Sequence, residues 1–129
     1  MAPDRLFLFI AAILGGTAVA GGAFASHALR QQLSDRMLAI FETGVRYQMY
    51  HALALLAVSV VLQRAATASS WLMAAGWAFI AGIAVFSGSL YALSLSQINI
   101  LGAITPLGGV GLMVGWGCLA YFALATPKQ

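Results

Sequence analysis

Charge is the scarcest property of this chain. Only 7% of its 129 residues are charged, and 62% are hydrophobic. Soluble domains carry about 25% charged residues, so this chain cannot cover a water-facing surface, and a soluble globule is excluded. The six basic and three acidic residues are scattered singly. Without a basic run there is no nucleic-acid groove, and no nucleic-acid partner is expected. The single cysteine, Cys118, rules out an intramolecular disulfide. Also missing are a P-loop, a dinucleotide fingerprint, a CxxC pair and a GxSxG elbow. The two histidines stand 24 positions apart, and His27 and His51 with Glu42 make too loose a set for a metal. No catalytic residue, metal or cofactor is therefore assigned.

What the chain does have is long apolar runs. At roughly 20 residues per transmembrane helix there is room for four spans and short connections, and none for a second domain. The expected fold is an all-α integral membrane protein, a single domain over 1–129. Its four transmembrane helices form an up-down bundle with spans at about 6–25, 44–63, 71–95 and 106–125. Arg5, Leu6–Ala20 and the small residues after them imitate a secretory signal. The apolar run continues past Gly22, however, and three spans follow, so a retained helix is expected.

The 28–43 connection places Leu29, Leu33, Met37, Ile40 and Phe41 on one helical face. That pattern suits an interfacial amphipathic helix between spans one and two. Ser34 is a candidate N-cap with Asp35 in the first turn, and the helix is expected to run on into span two, bending near Gly44. Small-residue ridges recur at Ala18/Gly22/Ser26, Ala74/Ala78/Gly82 and Gly108/Gly111/Gly115. Such ridges let helices approach closely in lipid, within the chain or between copies in a homo-oligomer. Arg5, Arg64 and Lys128 share one side of the membrane; Arg30, Arg36 and Arg46 share the other. Discounting Arg46 as partly inserted favours cytoplasmic termini.

Span two holds the richest chemistry. Its uninterrupted apolar part, Ala52–Leu62, has eleven residues and is about 16 Å long, against a hydrocarbon core of about 30 Å. Reaching that thickness draws Tyr47, Tyr50 and His51 into the hydrocarbon, with Arg46 near its edge. Threading four spans brings further polar residues to the same side: His27 ends span one, Ser87, Ser89 and Tyr91 end span three, and Thr105 opens span four. Glu42, Arg46 and Tyr50 form one i,i+4 stripe and Thr43, Tyr47 and His51 the next, with Glu42 set to pair with Arg46. Two readings stay open. Arg46 beside the N-terminus of span four suits an anionic lipid or a small anionic ligand. Alternatively Glu42 satisfies Arg46, and the tyrosines bond to Ser87, Ser89 or loop carbonyls as interhelical glue.

Four segments carry a resemblance. They are Gly22-Ala23-Phe24-Ala25-Ser26-His27-Ala28-Leu29, Phe41-Glu42-Thr43-Gly44-Val45-Arg46-Tyr47-Gln48-Met49-Tyr50-His51-Ala52-Leu53-Ala54, Phe86-Ser87-Gly88-Ser89-Leu90-Tyr91 and Gly102-Ala103-Ile104-Thr105-Pro106-Leu107-Gly108-Gly109. In this order they resemble the membrane proteins grouped as domain of unknown function 423, the YgdD-type proteins, over essentially the whole chain. Gly44 and Ser26 stand where alanine and glycine are expected. The resemblance implies a small multi-span protein of the bacterial inner (plasma) membrane and no established activity, so no catalytic residue is carried over. Two functional classes follow: a non-enzymatic binding or accessory membrane protein with a polar half-site at one membrane face, or a small-solute transporter or channel component acting as an oligomer.

Overall fold

The computed structural model describes residues 1–65 and 69–125. The middle of the loop between spans two and three and the end beyond residue 125, with Lys128, lie outside the described residues. Four α-helices follow one another: α1 (Pro3–His27), α2 (Asp35–Arg64), α3 (Ser70–Ser96) and α4 (Thr105–Ala125). Each is long and apolar enough to cross a membrane. The molecule is an all-α bundle of four transmembrane helices.

The helix ends follow from local chemistry. Pro3 opens α1, where its fixed φ suits a first turn whose N–H groups lack partners, and Asp4 faces the positive end of the dipole. The Ser34 side chain accepts the Met37 N–H at 3.3 Å and starts α2 at Asp35. From there the helix continues without a break to Arg64, and Gly44 does not interrupt it. Lipid offers no alternative partner for an opened backbone hydrogen bond. α3 closes on Gln97 in the left-handed region (φ 60°), whose N–H bonds to the Leu93 carbonyl, a place glycine usually fills.

The connection expected as an interfacial helix over 28–43 is divided. Leu29–Gln31 is a single 3-10 turn, and everything from Asp35 belongs to α2. Leu29 and Phe41 turn inward and join Ala25 in a small cluster with Leu33, Leu38, Val45 and Tyr91 around it. Part of the apolar face read as membrane-lying therefore closes the end of the bundle.

α2 and α3 form the inner pair; α1 packs mainly on α2, and α4 mainly on α3. α2 turns Gln48 and Ser59 toward α1, where they bond at Leu14, Thr17 and Asp4, and His51 toward α4, where it meets Trp116. The main core fills the half of the bundle nearer the N-terminus, with Phe7, Leu55, Val58, Leu72 and Phe79 fully buried. The α3–α4 seam is held by close approach. A Cβ on Gly108 would fall 2.3 Å from the Phe86 backbone nitrogen, and one on Gly115 would fall 2.5 Å from the Phe79 ring. Gly111 meets Gly82 and the Ala78 carbonyl. The α4 ridge, a candidate contact between copies, is thus occupied by α3 of the same chain.

Candidate functional site

The polar side chains spread from the middle of the bundle toward the end that carries the α1–α2 and α3–α4 connections, and Gln48, near the midpoint of α2, is their centre. Its amide nitrogen donates to the Leu14 carbonyl and to Thr17 Oγ1, both at 2.8 Å. Its oxygen accepts the Tyr91 hydroxyl at 2.7 Å. One buried side chain on α2 thereby ties α1 to α3. Beside it, Ser87 Oγ donates to the Gly44 carbonyl at 2.7 Å. The Tyr91 ring lies so near Gly44 that an added Cβ would sit 2.8 Å from it. The alanine expected at position 44 would force that ring aside.

His51 is buried and also satisfied. Trp116 Nε1–H donates to its Nε2 at 3.1 Å, and its Nδ1 lies 2.7 Å from the Tyr47 carbonyl. The neutral ring with its proton on Nδ1 meets both partners, a tautomer assigned from those bonds. Ser89 and Thr105 share a hydrogen bond of 2.7 Å across the α3–α4 seam. Thr105 thus uses its hydroxyl between helices. No buried side-chain nitrogen or oxygen among the described residues is left without a partner, as the cost of an unpaired polar group in hydrocarbon demands.

The remaining named residues face outward. Arg46, Tyr47 and Tyr50 are exposed and Glu42 is half-buried on the adjoining turn. Glu42 and Arg46 do not pair; Arg46 Nη2 donates instead to Thr43 Oγ1 at 3.2 Å. An exposed i,i+4 ion pair is worth only about 0.3–0.5 kcal/mol, too little to fix two long side chains. Tyr47 lies against Phe86, with ring centroids 4.6 Å apart, and near Tyr50 at 5.9 Å. Neither tyrosine reaches Ser87, Ser89 or a loop carbonyl; of the three tyrosines named, only Tyr91 is tied in. His27 is exposed at the end of α1, apart from the Gln48 network. Among the described residues, no three of His, Cys, Asp and Glu come together as a metal site.

The family model described as "Protein of unknown function (DUF423)" matches residues 21–109. The chain belongs to this family. It is 46% identical over 112 residues to the UPF0382 membrane protein YwdK of Bacillus subtilis, covering 87% of this chain and 90% of that one. It is 44% identical over 124 residues to a UPF0382 membrane protein of Staphylococcus epidermidis, covering 96% and 97%. No solved structure matches. All ten residues singled out from the sequence fall inside the DUF423 segment, whereas Thr17 and Trp116, which complete the contacts of Gln48 and His51, lie just outside it.

Gln48, Thr17 and Trp116 are the members that sequence reasoning missed. Gln48 had a signal. It shares a helical face with Phe41, Gly44, Ala52, Leu55 and Ser59, the small and apolar residues that α2 buries. Following the ionisable residues instead selects the neighbouring, outward stripe. Trp116 is one of three tryptophans, and its bond to His51 joins helices that share only a narrow contact, which spacing within one helix does not reveal.

Proposed function

We propose that this DUF423 protein is a non-enzymatic membrane protein of the bacterial inner membrane, with cytoplasmic termini. In this reading, the outward strip of α2 binds the phosphate of an anionic lipid headgroup. The observation that carries the reading is Arg46. Its guanidinium is exposed, has no carboxylate partner and bonds only to the Thr43 hydroxyl, leaving donors suited to a phosphate. Depth agrees: at 1.5 Å per residue Arg46 lies about 27 Å along α2 from Arg64, near the far edge of a hydrocarbon core about 30 Å thick. The exposed phenols of Tyr47 and Tyr50 lie within the next helical turn, as interfacial aromatics do.

The test is lipid titration of the detergent-solubilised protein, read by native mass spectrometry. Phosphatidylglycerol is expected to bind on the order of tenfold more tightly than phosphatidylcholine, and Arg46→Gln to remove that preference, an effect of about 1.4 kcal/mol. Equal retention of both lipids, or a preference that survives Arg46→Gln, would refute the reading.

A further inference from the structure

The two connections at the polar end of the bundle are built in opposite ways. In the first, between α1 and α2, the apolar Leu29 is only 3% exposed, while Arg30, Gln31, Gln32, Asp35 and Arg36 face out. In the second, between α3 and α4, the short 3-10 helix Asn99–Ala103 and the residues flanking it turn large apolar side chains outward. Ile98 is 54% exposed, Ile100 73% and Leu107 71%. No charged residue and no histidine occurs anywhere between Arg64 and Lys128. A connection bathed in water would leave this apolar surface uncovered and unaccompanied by charge.

The geometry points to a connection, residues 97–104, that lies against lipid, so that the α3–α4 hairpin is membrane-embedded up to and including its tip. Two further observations support lipid as the occupant. The apolar surface does not stop at the tip: Leu107 leads to Val110, Met113 and Val114, all exposed along the outer face of α4, the face a transmembrane helix gives to acyl chains. Much of the backbone also meets the requirement that lipid imposes. The Gln97 N–H bonds to the Leu93 carbonyl, and those of Leu101, Ile104 and Leu107 bond to carbonyls at Ile98, Leu101 and Ile104. The Ile98 N–H donates to Ser96 Oγ at 3.2 Å. The turn thus closes part of its own hydrogen bonding, with the Asn99 and Ile100 N–H groups unpaired at its outermost point, and Gln97 and Asn99 are the polar side chains of residues 97–104 that reach the headgroups.

Length makes such burial reasonable. α3 has 27 residues, about 40 Å at 1.5 Å per residue, which exceeds the roughly 30 Å core. Tilting of the hairpin absorbs that excess. It lets the α3–α4 corner sink while the charged α1–α2 corner stays at the surface.

The test uses the full-length protein in phosphatidylglycerol-containing liposomes, permeabilised so that reagent reaches both faces. The parent, whose only thiol is the buried Cys118, gives the background. Ile100→Cys and Gln31→Cys replace exposed side chains on the two connections. A charged, impermeant maleimide is expected to label position 100 on the order of tenfold more slowly than position 31, since thiolate and reagent both need water. An uncharged fluorophore at position 100 is expected to be quenched by lipids brominated on their acyl chains. Equal labelling of the two positions would overturn the proposal in favour of a water-exposed turn. Slow labelling without lipid quenching, or a cross-link between copies through position 100, would overturn it in favour of a protein partner.

Discussion

The inward and outward faces of α2 carry similar side chains to different ends. Inward, Gly44, Gln48, His51 and Ser59 are buried, and every polar atom among them is matched by a group on its own or a neighbouring helix. Outward, Glu42, Arg46, Tyr47 and Tyr50 hold spare donors and acceptors. In a soluble protein, polar residues on one helix face imply water. Here rotation of about 100° per residue decides whether a polar group joins helices or meets headgroups. The first face explains stability and the second offers recognition, so substitutions on the two faces should affect different observables.

The largest expected effect is on the inward face. Gln48→Leu removes three interhelical hydrogen bonds, each worth about 0.6 kcal/mol on average and up to about 1.7 kcal/mol in membrane proteins. It leaves the Tyr91 hydroxyl without its acceptor. A loss of about 2 kcal/mol is expected, measured by reversible unfolding in mixed micelles. His51→Phe keeps the ring but loses the Trp116 and Tyr47 contacts and should cost about 1 kcal/mol. Unchanged stability in either variant would erase the distinction between the faces.

These expectations rest on details that the sequence disclosed unevenly. Four spans, and which helix ends share one side of the bundle, were legible, because span length and threading direction need only hydropathy and chain order. The rotational phase of α2 was not. The conspicuous residues Glu42, Arg46 and Tyr50 mark a stripe, but burial belongs to the stripe of Gly44, Gln48 and Leu55, where small and apolar neighbours surround one amide. The Glu42–Arg46 pair failed for a related reason, since an exposed ion pair gains too little to order its side chains. The apolar face near Leu29 and Phe41 was visible too. Whether it covers lipid or the bundle depends on tertiary contacts that periodicity does not contain.

Smaller effects sharpen the comparison. Tyr91→Phe should cost about 0.6–1 kcal/mol, and in a double-mutant cycle it should add nothing to Gln48→Leu, since both break the same bond. Thr105→Val keeps the shape and loses only the bond to Ser89, in a seam held by glycine contact. A loss near 0.5 kcal/mol is expected from the same unfolding measurement. Arg46→Gln, on the outward face, should leave stability within about 0.5 kcal/mol in neutral detergent.

The most direct measurement sets one variant of each face against the other. Melting of the parent, Gln48→Leu and Arg46→Gln is followed in neutral detergent, with and without added phosphatidylglycerol. Gln48→Leu should melt lower and still be stabilised by the lipid as the parent is. Arg46→Gln should melt with the parent and lose most of the lipid-dependent rise. If Arg46→Gln instead lowers the melting temperature as much as Gln48→Leu and keeps the lipid response, the division of α2 into a joining face and a recognition face is wrong.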